Sequence, residues 1–169
     1  MKVLSLSYAL FLCLFANLAF GQKVGHVNTV MLIDSLPAAK QASITLKQYE
    51  ASLAKTGEDM VAKFQEKLKK YQQDVATGNL TPLQRKQSEE DLEIDQNAIG
   101  SYRQSAQGSL EKRRQELIQP ILDKINAALQ AIGKEEQYLF IFDSAAGILF
   151  FRESEDISAK LFTRLAAEK

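Results

Sequence analysis

Ala76-Thr77-Gly78-Asn79-Leu80-Thr81-Pro82-Leu83-Gln84 stops one long helix and starts another, and that reading decides the fold. Gly78 suits the left-handed residue just past a helix end, Thr81 an N-cap, and Pro82 the first helical position, where its missing N–H costs nothing. Thr81 and Gln84 stand at capping-box spacing, so each side chain can satisfy a backbone N–H that the helix start leaves unpaired. The segment reads as a tight reversal near 78–81.

Outward from it, Ala38 to Thr77 contains no Pro and a single Gly. Large or apolar residues recur at Leu46, Tyr49, Leu53, Met60, Phe64, Leu68, Tyr71 and Val75. With Gly57 as the seam position between Leu53 and Met60, the mean step is about 3.6 residues, the helix period, with one narrow apolar stripe. About forty residues at 1.5 Å each reach roughly 60 Å, so this helix is expected to project from any small domain. The return helix is expected from Pro82 to about Ile132. Ile94, Ala98, Tyr102, Ala106, Leu110, Leu117, Ile121, Ile125 and Leu129 share one face of it. Residues 37–119 then form an antiparallel helical-hairpin arm. Gly57 and Gly100 lie about level on the two helices and are hinge candidates, because a mid-helix Gly costs about 0.8–1 kcal/mol against Ala. Pro120, costly inside a helix, marks the expected root of the arm.

Residues 22–36 and 120–169 remain as a small β-containing body, with a first strand from Lys23 to Asn28. Tyr138-Leu139-Phe140-Ile141-Phe142-Asp143, a Ser144-Ala145-Ala146 turn and Gly147-Ile148-Leu149-Phe150-Phe151 read as an antiparallel β-hairpin. A last helix, capped by Asp156 or Ser154, carries Ile157, Leu161 and Leu165. Both faces of the expected hairpin are apolar: Leu139, Phe140, Ile141, Phe142, Ile148, Leu149, Phe150 and Phe151 offer more than a short helix can cover. An isolated two-stranded ribbon is marginal in water. Sister chains are therefore expected to cover this surface in an obligate oligomer, and Val24, Val27, Ile157 and Leu161 belong to the same oligomerisation body. The fold class is α+β, mostly α.

Ahead of all this, Lys2 precedes an uncharged apolar run from Val3 to Phe20, and Ala19-Phe20-Gly21 places small residues where a signal peptidase cleaves. Residues 1–21 read as an export signal, whose removal takes away the chain's one Cys, Cys13. The 169 residues carry 21 Lys plus Arg against 21 Asp plus Glu, so no global charge argues for a nucleic-acid partner. One His and one Cys cannot build a disulfide or a His/Cys metal cluster. Gly133-Lys134 lacks the rest of a phosphate-binding loop, and the sole His is distant in sequence from Asp143-Ser144, a pair of the kind that makes turns. No cofactor and no enzymatic activity are expected.

The order of pieces resembles the Skp family, also called OmpH-like, of periplasmic chaperones. The residues that carry the likeness are the export signal, Val27-Asn28, Pro37 to Lys40, Pro120-Ile121-Leu122, Phe142-Asp143-Ser144 and Asp156-Ile157-Ser158. The resemblance implies a homotrimer whose β body holds three helical arms around a cavity, and a holdase for unfolded outer-membrane proteins in the periplasm. Without nucleotide machinery, such a cycle would be ATP-independent. The neutral charge departs from strongly basic members and weighs against membrane or lipopolysaccharide contact. Basic patches remain possible at Lys63, Lys67 and Lys70 and at Lys112, Arg113 and Arg114, interleaved with acidic residues. Rival readings are an efflux-type adaptor, which needs larger β modules; a prefoldin-like cytosolic hairpin, which the export signal opposes; and a membrane-anchored coiled-coil tether, which requires that residues 1–21 stay.

Overall fold

The computed structural model describes residues 23–167; the expected export signal lies outside them. Strand β1 (Val24–Val27) leads through a short helix α1 (Thr29–Ser35) into the long helix α2 (Pro37–Ala76). The return helix α3 (Pro82–Glu135), strand β2 (Phe140–Asp143), two 3-10 turns (Ser144–Ala146 and Glu153–Glu155) and helix α4 (Ser158–Ala167) follow. No helix of the described residues is long and apolar enough to cross a membrane. Internal contacts divide the chain into two units, Ser35–Leu122 and the remainder on either side of it.

In the first unit the reversal forms as its residues dictate. Gly78 takes φ +68°, and its N–H donates to the Val75 carbonyl (3.2 Å) while that of Asn79 donates to Asp74 (3.0 Å). This pair of bonds satisfies carbonyls that the helix end would orphan. Gln84 N–H donates to Thr81 Oγ1 (3.3 Å) and Thr81 N–H to Gln84 Oε1 (2.9 Å), closing the capping box. Cross-helix contacts then run in antiparallel order: Tyr71 with Glu89, Lys67 with Asp95, Leu53 with Tyr102. The α2 stripe is half-buried from Leu46 to Tyr71, and α2 has no fully buried residue.

On α3 the seam departs from the expected one toward the reversal, where Leu92, Asp95 and Ile99 are half-buried and Ile94 and Ala98 are exposed; Tyr102, Ala106, Leu110 and Leu117 are half-buried. Asp95 takes a seam place because its carboxylate meets Lys67 Nζ at 2.6 Å across the hairpin, an outlet that hydrophobicity alone does not reveal. The helix runs unbroken through Pro120 to Glu135.

In the second unit the expected antiparallel β-hairpin is corrected. The sheet has two strands, β1 and β2, and they are parallel, with Val24 opposite Phe140 and Val27 opposite Asp143. Parallel strands need a long crossover, and the helices between the two strands supply it. Residues 147–151 form no strand. Asp143 caps the Ser144–Ala146 turn through Ala145 N–H (2.9 Å), and Gly147 follows at φ +94°, so the chain leaves β2 without folding back on it. The 156–157 segment borders β1 instead: Ile157 N–H donates to the His26 carbonyl (2.9 Å).

The core of this unit comprises Val27, Leu32, Ile125, Ala128, Ile132, Ile157 and Leu161. Gly25 is fixed by close approach, since a Cβ there would lie 2.9 Å from Tyr138 Cε1 and 3.3 Å from Ile157 Cγ2.

Candidate assembly and client-binding surfaces

Strand β2 alternates. Ile141 turns toward Gly133, while Phe140 and Phe142 stand on the solvent side with ring centroids 5.8 Å apart. Beyond the turn, Leu149 is 100% exposed and Phe150 82%. Leu139 and Phe151 are also exposed, and Ile148 is half-buried. Of the other residues assigned to the oligomerisation body, Val27, Ile157 and Leu161 sit in the chain's own core, and Val24 is half-buried. The structure thus sorts the apolar residues of the body into a small core and a broad aromatic face. Single exposed apolar side chains are ordinary, but a contiguous group of this size marks an interaction surface.

Polar ties hold that face in place. Asp143 accepts from Thr29 Oγ1, from Thr29 N–H (3.3 Å) and from Ala145 N–H (2.9 Å), joining the end of β2 to the start of α1. His26 is buried, its ring centroid 4.1 Å from that of Phe151. Its Nε2 lies 3.1 Å from the Arg152 carbonyl, which can only accept, so Nε2 carries the hydrogen. Lys23 and Lys160 both reach Glu136 Oε2 (2.8 and 2.6 Å), and Arg164 forms a two-pronged pair with Glu135 (2.6 and 2.8 Å).

Burial pushes the carboxyls of Asp143 and Asp156 up, but hydrogen bonds outweigh it, from Thr29 and Ala145 to Asp143 and from Ser158 to Asp156, and both are held below the ordinary carboxylate range. A depressed folded-state value means stability that is present above the unfolded value of about 4 and is lost as pH falls through the folded one. The body should therefore resist denaturant equally from neutral pH to about 5 and weaken progressively below it. Urea titrations at successive pH values check this, and Asp143→Asn should flatten the acid decline.

On the arm, the expected basic patches are partly neutralised. Lys67 pairs with Asp95 (2.6 Å), Arg113 with Glu116 (3.1 Å) and Arg114 with Glu111 (3.2 Å). Lys63, Lys70 and Lys112 are exposed. Exposed pairs of this kind contribute little to stability. The hinge candidates separate as well: a Cβ on Gly57 would lie 3.4 Å from the Tyr102 ring, while nothing lies within 4 Å of one on Gly100. Ile44, Leu83, Ile94 and Ile118 are apolar arm side chains left outside the seam.

Sequence reasoning missed Leu32, Ala128 and Ile132 as core and Gly25 as a packing position. Ile132 was readable, since it continues the Ile125 face at i+7.

A family model described as outer membrane protein (OmpH-like) matches residues 23–165. Among solved structures, the chain is similar to a candidate outer membrane chaperone (OmpH-like) from Caulobacter crescentus CB15. The TM-score is 0.77 and the identity 16%, over 87% of this chain and 85% of that one. At this identity the likeness speaks for the fold. Among curated proteins none matches.

Proposed function

The chain belongs to the OmpH-like outer membrane protein family, and from that premise we propose that it is an ATP-independent holdase of the periplasm, which binds unfolded outer-membrane proteins between helical arms and prevents their aggregation. The observation that carries this reading is an arm of two long helices in which α2 has no fully buried side chain, while apolar residues such as Leu83 and Ile94 face solvent. A pair of helices that encloses no core of its own offers its flanks to another chain.

The grip is then many weak contacts, each easily released. Their combined strength comes from presenting several arms at once, which requires an oligomer. The aromatic face of the body, from Phe140 to Phe151, supplies the surface on which three copies would meet. Export follows from the reading of residues 1–21 as a cleaved signal, checked by mass spectrometry of the mature N-terminus. No catalytic residue, cofactor or nucleic-acid partner belongs to this function.

The decisive experiment unfolds an outer-membrane β-barrel protein and dilutes it beside this protein without nucleotide, with aggregation followed by light scattering. Suppression near one trimer per client supports the reading. Aggregation that proceeds unchanged at several-fold excess overturns it and favours a tether.

A further inference from the structure

Midway along the arm the α2 stripe has a gap at Gly57, between Leu53 and Met60, and a groove of about 600 Å³ lies there, lined also by Val61, Ile99, Ala106 and Leu110. One large side chain spans the gap. The Tyr102 ring lies against Gly57, and its hydroxyl donates to the backbone carbonyl of Leu53 at 2.8 Å. Leu53 is the i−4 partner of Gly57 within α2. A carbonyl oxygen has two lone pairs, so the tyrosine bond can be added without breaking the helix ladder. Any long side chain at residue 57 would occupy the space through which the hydroxyl reaches the backbone.

The other side-chain ties across the hairpin differ in kind. Lys67 with Asp95, and Tyr71 with Glu89, involve charged groups, lie toward the reversal and are exposed. Salt screens exposed pairs of that sort. The Tyr102 bond is neutral and half-buried.

We infer that Tyr102 is the register lock of the arm: its bond to the Leu53 carbonyl, admitted by Gly57, holds the two helices at fixed spacing at the one place where the α2 stripe has no side chain of its own. Gly57 is then a notch for the ring rather than a soft joint. The further consequence, that this spacing sets the surface offered to a client, rests on the holdase reading; the lock itself does not.

Amide hydrogen exchange on the intact protein without client tests the lock. Tyr102→Phe keeps the ring and deletes the bond. Exchange at 53–57 and 99–106 should rise about fivefold, the effect of losing one ordinary hydrogen bond, while 67–71 and 89–95 stay unchanged. Gly57→Leu, whose side chain would take the space of the ring, should raise exchange over the same residues, whereas Gly57→Ala, whose Cβ would meet the ring at an ordinary contact distance of 3.4 Å, should not. In 0.5 M salt the wild type should loosen at 67–71 and 89–95 but not at 53–57. Unchanged exchange in Tyr102→Phe, or an equal rise along the whole arm, overturns the lock. A wild type that fails to hold clients while showing this exchange pattern removes the holdase reading and leaves the lock standing.

Discussion

The double variant Leu149→Asp, Phe150→Asp is expected to sediment as a monomer at micromolar concentration under conditions in which the wild type sediments as an oligomer. Each of the two side chains is almost wholly in solvent within its own chain, so replacing them removes nothing from the folded monomer. In an assembly the same positions lose about 1.5–3 kcal/mol of burial each, and a carboxylate forced into an apolar contact adds a larger desolvation cost. Repeated in every copy, these losses exceed what a standard interface can spare. Circular dichroism and the denaturation midpoint at high dilution should match those of the dissociated wild type, which separates lost assembly from lost fold. A double variant that sediments like the wild type would show that this face is not the contact. A wild type that is itself a stable monomer would remove the oligomer and, with it, the argument from several arms. Where assembly fails, suppression of client aggregation should fail too.

The two halves of the molecule were not equally legible. The arm could be read because its determinants are local: Gly78, Thr81, Pro82 and Gln84 act within one turn of the chain, and the α2 stripe repeats at the helix period. The same reasoning placed Ile94 on the seam one residue away from the true position. Hydrophobicity cannot distinguish a stray apolar residue from an Asp that spans the gap to a lysine, as Asp95 does. The body depends on pairing between distant segments. Phe140–Asp143 and the run from Ile148 to Phe151 look like a hairpin because they are neighbours in sequence. The partner that β2 takes is β1, on the other side of the entire arm, and no local pattern encodes that choice. Gly25 was equally invisible, since its role comes from Tyr138 closing on it in space. For the candidate surfaces, the division of the apolar residues between core and exterior follows from the parallel sheet, which the sequence does not reveal.

That division leads to the second large effect. Leu161 is 0% exposed and shares a core of only a few side chains with Val27, Ile132 and Ile157. Leu161→Ala should destabilise the body by about 2–5 kcal/mol, a large part of the roughly 5–15 kcal/mol that a whole domain possesses. Phe162, the next residue, points outward and is 38% exposed; Phe162→Ala should therefore change monomer stability by much less although it deletes more atoms. The comparison must be made in the Leu149→Asp, Phe150→Asp background. In an oligomer, association stabilises the folded chain by mass action and hides part of the loss. Urea titration there should shift the midpoint strongly for Leu161→Ala and weakly for Phe162→Ala. If the order reverses, α4 packs through its other face and the core drawn here is wrong.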